Sequence, residues 1–120
     1  MAETTSFPSD LLTAQRNLHE AKAKYAALCR TLPWSVEPMP GWPGQAHPHT
    51  GEVTGGREDS PGYTEEEKAE CVRLLGLIRE LSIQVSTHPC WRHWEGDDVV
   101  KARMELKNHP DALSAVVEAA

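Results

Sequence analysis

Apolar residues recur at Leu11, Ala14, Leu18, Ala21, Tyr25, Leu28 and Leu32, a 3-4-3-4 spacing sustained over the first quarter of the chain. That period places all seven side chains along one stripe of an α-helix. Ser9 or Asp10 can cap its start by accepting from a free first-turn amide. Pro33 ends it, because a residue that precedes proline is pushed out of the helical region. The pattern predicts a helix over 9–32.

A second stripe runs Cys71, Leu74, Ile78, Leu81 and Val85, with His88 at the next heptad step. Thr64 followed by Glu67 has the form of a capping box, and Glu65, Glu66 and Glu67 complement the positive end of the helix dipole. Pro89 stops this element, which predicts a helix over 64–88. Gly76 lies in its middle at a cost of about 1 kcal/mol relative to alanine, which implies a close backbone approach there. The two stripes mesh antiparallel when the residue numbers in each layer sum to about 99. Ala14 then faces Val85, Leu18 faces Leu81, Ala21 faces Ile78, Tyr25 faces Leu74 and Leu28 faces Cys71.

The fold expected from these patterns is all-α: an antiparallel, coiled-coil-like two-helix hairpin plus a short C-terminal helical segment over 89–109. In that segment Gly96 is expected to close a first turn, and Asp97 or Asp98 to cap the next helix. Residues 110–120 read as a fraying tail. Residues 33–62 hold six of the nine prolines and six of the eight glycines. Such a stretch sustains neither a helix nor a central strand. Its apolar front, Trp34 to Trp42, is expected to lie against the helices, and residues 43–62 to form a mobile polar connector. So long a connector does not enforce the pairing, so a single-chain hairpin and an exchanged dimer both fit.

Composition narrows the class. The chain has 120 residues, 39% of them hydrophobic and 25% charged, which suits one small helical domain with a modest core. No apolar run approaches the roughly 20 residues that span a bilayer, and Met1 to Asp10 lacks the basic and apolar regions of a secretory signal. Three cysteines are too few for a disulfide scaffold, so a reducing cytoplasm is the expected setting. Net charge is −6 and no segment forms a basic patch, which argues against direct binding to nucleic acid.

Candidate chemistry is sparse. In His88-Pro89-Cys90-Trp91-Arg92-His93-Trp94, the side chains of His88, Cys90 and His93 could donate to a metal, with His47 or His49 as a fourth ligand. The spacing matches no zinc pattern, and we read the run as a helix stop followed by an aromatic plug of Trp91 and Trp94. The proposed register brings Cys29 near Cys71, where a redox link is conceivable; we read both as small buried hydrophobes. No phosphate-cradling loop and no activated nucleophile is present, so no catalytic, cofactor or metal residue is assigned and an enzyme is not expected.

Helix 2 carries a wider apolar face than helix 1 can cover. Leu75 and Leu77 need burial by Trp91, Trp94, Val100 and Met104 or by the Trp34–Trp42 stretch. An uncovered patch would mark a partner site. The partner-binding candidates are therefore Trp34, Trp42, Leu75, Leu77, Trp91 and Trp94.

Three stretches carry a resemblance: Leu32-Pro33-Trp34-Ser35-Val36-Glu37-Pro38, Ser60-Pro61-Gly62-Tyr63-Thr64-Glu65-Glu66-Glu67, and Thr87-His88-Pro89 with Trp91 and the later Ala102-Arg103-Met104. Together they resemble a group of short, uncharacterised proteins encoded by filamentous actinobacteria. The resemblance implies no activity. It does imply that the aromatic and proline positions around the helix ends form a shared design, with residues 43–59 as the variable part. The function expected is non-enzymatic: an interaction or accessory protein that binds a protein partner or a second copy of itself. The alternatives are a regulator acting on nucleic acid with a partner, or a metal- or redox-responsive protein using His88, Cys90 and His93.

Overall fold

The structure, a computed structural model, describes residues 6–113. The chain is mostly helical: α1 (Ser9–Cys29), β1 (Gln45–Ala46), β2 (Val53–Thr54), α2 (Glu65–Ser86), a 3-10 turn (Pro89–His93) and α3 (Asp97–Lys107) follow in that order. The radius of gyration is 21.0 Å, against about 14 Å for a compact chain of this length. An elongated molecule has little interior, so its burial is concentrated where helices meet.

Helix α1 begins at Ser9 as expected, but with Pro8 rather than Ser9 or Asp10 in the capping position and no side-chain cap. Asp10 instead accepts from the neighbouring Leu11 amide at 2.9 Å through one oxygen and meets His88 Nε2 at 3.0 Å through the other. The helix stops at Cys29, short of Leu32. Its last turn tightens into three-residue bonds, Thr31 N to Leu28 O and Leu32 N to Cys29 O, as the chain turns toward Pro33.

Helix α2 has its capping box in full: Glu67 N donates to Thr64 Oγ1 at 3.0 Å, and Thr64 N donates to Glu67 Oε1 at 2.8 Å. It packs against α1 in the opposite direction, with Asp10 beside His88 at one end and Tyr25 and Cys29 facing Cys71 toward the other. Leu18, Ala21 and Leu81 form a buried cluster on which Ile78 and Val85 pack, all five drawn from the expected layers. Gly76, by contrast, has nothing within 4 Å of where a Cβ would stand. The close approach expected there does not occur among the described residues.

A second cluster gathers Phe7, Leu11, Cys90, Trp91, Ala102 and Leu106, with Leu12, Val85 and Trp94 against it. Here the 3-10 turn folds α3 back onto the start of α1. Gly96, with φ of 56°, is the residue before α3 rather than the end of the 3-10 turn, which closes at Trp94. Asp97 and Asp98 lie inside the first turn of α3, where their charge favours the dipole without a side-chain cap. Residues 110–113 form a further helical turn with Ala112 fully buried, so this part of the expected tail is packed. The remainder of that tail, 114–120, lies outside the described residues.

The largest departure from the expected fold is residues 33–62. They are not a loose connector, and the fold is not purely α. β1 and β2 pair antiparallel, Gln45 with Thr54 and Ala46 with Val53. Below them Trp42 bridges Arg57 and Met39 bridges Ser60. Tyr63 N donates to Val36 O at the base, and His47 N to Glu52 O at the tip. Every one of these pairs sums to 99, so the segment is one continuous antiparallel stem. Its bonded residues 36, 39, 42 and 45 come at steps of three, the period of a polyproline II helix. Pro38, Pro40 and Pro43 fall between the bonded positions, so their missing N–H groups cost the ladder nothing.

One consequence concerns acid stability. The hydrogen bond from His88 is the main cause holding the Asp10 carboxyl below its ordinary 3.8. A carboxyl whose folded pKa is depressed stabilises the fold above its unfolded value and loses that contribution as pH falls through the folded one. Denaturant midpoints should therefore drop more steeply for the native chain than for Asp10→Asn as pH falls below about 4. Parallel curves would show that the bond carries no stability.

Candidate interaction site

The sequence candidates divide into three places. Trp91 is buried in the second cluster, its Nε1 donating to Val85 O and the Arg103 guanidinium lying 5.4 Å from its ring centre. Trp94 stacks beside it at 5.6 Å, partly buried, and both meet the Phe7 ring. These two are the plug of the helical end and present no open surface comparable with the others.

Trp34 and Trp42 come together in the stem, edge to face at 5.5 Å. The indole N–H of each donates across the ladder at 2.8 Å, Trp34 to Glu58 O and Trp42 to Gly55 O. Arg57 lies over Trp34 at 5.1 Å. The pair therefore braces one arm of the stem against the other rather than lying on the helices as expected. Val36, Met39 and Trp42 each keep nearly half their surface in solvent.

Leu75 and Leu77 are not covered. Neither the C-terminal segment nor the tryptophan stretch reaches them, because α3 is spent on the α1 end and the tryptophans on the stem. The two leucines, two positions apart, point in nearly opposite directions around α2. Leu77 borders a groove between α1 and α2 of about 220 Å³, whose walls include Glu20, Lys24 and Arg73. Leu75 joins Val72 and Ile83 on the face of α2 that points away from the buried Leu74 and Leu81. Val72 is 73% exposed, Ile83 55% and Leu75 48%. The sequence showed the width of the stripe; it could not show Val72 and Ile83 as the centre of an exposed face, because both fall outside the heptad positions.

Charge frames this face. Lys68 is paired with Glu37 and Glu65, and Arg73 with Glu70. Glu66 and Glu80 on one flank, and Arg79 in the middle of the face, have no ion-pair partner among the described residues.

The histidine and cysteine positions are arranged differently from a metal site. His88 Nδ1 accepts from Cys90 N at 3.0 Å while Nε2–H meets Asp10, so both ring nitrogens are engaged. Cys90 is buried, and burial pushes its thiol pKa up. His93 stacks edge-on against Trp94, and His47 and His49 pair with each other at the far tip of the stem. Among the described residues no three His, Cys, Asp or Glu side chains converge as metal ligands would. Cys29 is exposed and Cys71 half-buried, so neither is the buried hydrophobe expected; both sit near the Tyr25 hydroxyl, whose pKa the Cys29 thiol chiefly raises. No helix among the described residues is long and apolar enough to cross a membrane.

Together these elements make a mostly helical fold with a small two-stranded antiparallel sheet. A family model for a domain of unknown function, DUF8825, matches residues 10–109, and the chain belongs to that family. No curated protein and no solved structure matches it.

Proposed function

We propose that this chain is a non-enzymatic interaction module of the cytoplasm, and that α2 is its docking element. Its paired helices act as a coiled-coil-like support, and the actinobacterial resemblance supplies an expected source. The observation that carries this reading is the exposed apolar face of Val72, Leu75 and Ile83 on the side of α2 opposite the core. Stable monomers rarely leave an apolar helix face open along three turns. The occupant is an amphipathic helix of another protein, laid along α2 as a helix-in-groove contact. Its chemistry follows from the frame: an apolar stripe for Val72, Leu75 and Ile83, basic residues for Glu66 and Glu80, and one carboxylate for Arg79. Gly76 fits the same picture, since its open side lets a second helix approach closely.

A photo-crosslinking residue at position 72 should, in cells, join the chain to one heterologous protein through a basic amphipathic helix. That helix, made as a peptide, should bind the purified chain, and Leu75→Glu should weaken it at least tenfold. Gly76→Ala should separate two effects: it should stabilise the free chain by about 1 kcal/mol, as helix propensity requires, yet weaken the peptide. Crosslinks only between copies of this chain, or a peptide indifferent to Leu75→Glu, would sink the proposal.

A further inference from the structure

A second feature stands apart from the α2 face and does not depend on its reading. Where α1, α2 and α3 meet, they enclose a cleft of about 200 Å³. Its apolar walls are Leu18, Val85, Leu106 and Trp91, and Ser82 and Ser86 line one side. Lys22, Arg103 and Lys107 also line it, and among the described residues no carboxylate does. In a chain of net charge −6, three cations around one small opening are a local reversal of sign. Lys22 and Lys107 have no ion-pair partner among the described residues. Helical spacing explains the convergence: Gln15, Leu18 and Lys22 share one face of α1, Ser82, Val85 and Ser86 one face of α2, and Arg103, Leu106 and Lys107 one face of α3.

Gln15 is the telling member. It is 2% exposed, and its Oε1 is buried with no hydrogen-bond partner among the described residues. Its other amide end sits 3.1 Å from His19 Nε2, which also bonds Lys107 O at 3.0 Å. A buried carboxamide oxygen without a partner is destabilising, whereas leucine of similar volume at that position would complete the core. Ligand sites, unlike cores, combine apolar walls with a few convergent polar groups of this kind.

We propose that this cleft binds a small organic anion: a monocarboxylate with a compact apolar body and a hydroxyl. The carboxylate faces Lys22, Arg103 and Lys107, and the body seats on Leu18, Val85, Leu106 and Trp91. The hydroxyl reaches Gln15; because a hydroxyl both donates and accepts, it suits either end of a carboxamide. The volume equals that of roughly seven waters, which limits the ligand to a single ring or a short branched chain.

The test is a titration of the full-length, nitrogen-15-labelled chain followed by NMR at the Gln15 side-chain amide, the Ser82 and Ser86 amides and the Trp91 indole N–H. The probes are 4-hydroxybenzoate, 3-(4-hydroxyphenyl)propionate and 2-hydroxy-4-methylpentanoate. At least one should give saturable shifts confined to those groups. Neutral 4-hydroxybenzamide and inorganic phosphate should each bind at least tenfold more weakly. Gln15→Leu should weaken the binding probe at least fivefold while raising the melting temperature, a combination that a purely structural glutamine would not produce. Lys22→Gln with Lys107→Gln should weaken it at least tenfold with the melting temperature unchanged. Absence of saturable shifts with all three probes would overturn the proposal. Equal binding of the neutral amide or of phosphate, or undiminished binding in Gln15→Leu, would do the same.

Discussion

Trp91→Ala should cost about 3–5 kcal/mol and lower the melting temperature by more than about 10 °C in a circular-dichroism scan. The size follows from position. Trp91 is the largest side chain in the cluster that joins α1, the 3-10 turn and α3, and it is only 8% exposed. Truncation opens a cavity beneath Phe7, Leu11 and Leu106, leaves the Val85 carbonyl without its indole donor, and removes the ring under Arg103. Small domains have about 5–15 kcal/mol of stability in all, and this elongated one has few other buried residues over which to spread a loss. Trp42→Ala is the contrast. Trp42 is 49% exposed and acts within the stem, so the helical transition should move by only a few degrees. If the two variants melt together, the helical core does not lie at this junction.

Gly41→Ala should break the stem while leaving the helices standing. A Cβ at Gly41 would lie 2.0 Å from the Arg57 carbonyl oxygen and 2.5 Å from the Glu58 carbonyl carbon, both backbone atoms. Overpacking typically costs about 1–3 kcal/mol when side chains can shift, and here only separation of the two arms relieves the clash. Hydrogen exchange is the measurement that resolves this. The amides of Met39, Trp42, Arg57 and Ser60, which carry the ladder bonds, should lose protection at least tenfold. Amides in the middle of α1 and α2 should keep theirs. Unchanged protection at Trp42 and Arg57 would mean that the arms do not cross so closely at Gly41.

The sequence made the helices legible because their signals are local and redundant. An apolar period, a proline stop and a capping box each mark α2 independently, and Thr64 and Glu67 make the bonds their spacing promised. The stem was missed for a physical reason. Strands repeat at period two and helices at period 3.6, whereas Met39-Pro40-Gly41 and Trp42-Pro43-Gly44 repeat at three, with Ser60-Pro61-Gly62 on the returning arm. Proline placed between bonded positions and glycine where the arms cross are the signature, and a count of prolines and glycines hides it. Gly62 shows the demand most plainly: its φ is +79°, and an added Cβ would lie 2.7 Å from Pro38 N.

The candidate surfaces were legible only in part. Leu75 and Leu77 stood out as surplus apolar positions, and both stay exposed. Gln15 gave no such signal. A lone glutamine on a helix reads as solvent-facing until α3 is seen to fold over it, and that return is made by Trp91, far along the chain. Gln15 and Lys22, each one position past a seam alanine and in row with Leu11 and Leu18, are the trace it left.

The stem has a further consequence for how this chain tolerates change in length. Its arms are matched residue for residue from Val36 with Tyr63 to His47 with Glu52, and the packed helices continue the same count through Leu18 and Leu81. A single inserted residue in one arm would put every pairing beyond it out of step, as on a mis-set zip. Whole triplets added to both arms together would only lengthen the rod, and residues 48–51 at the turn can be replaced by a segment of any size. Relatives of different length should therefore differ in balanced steps along the arms, or at that turn.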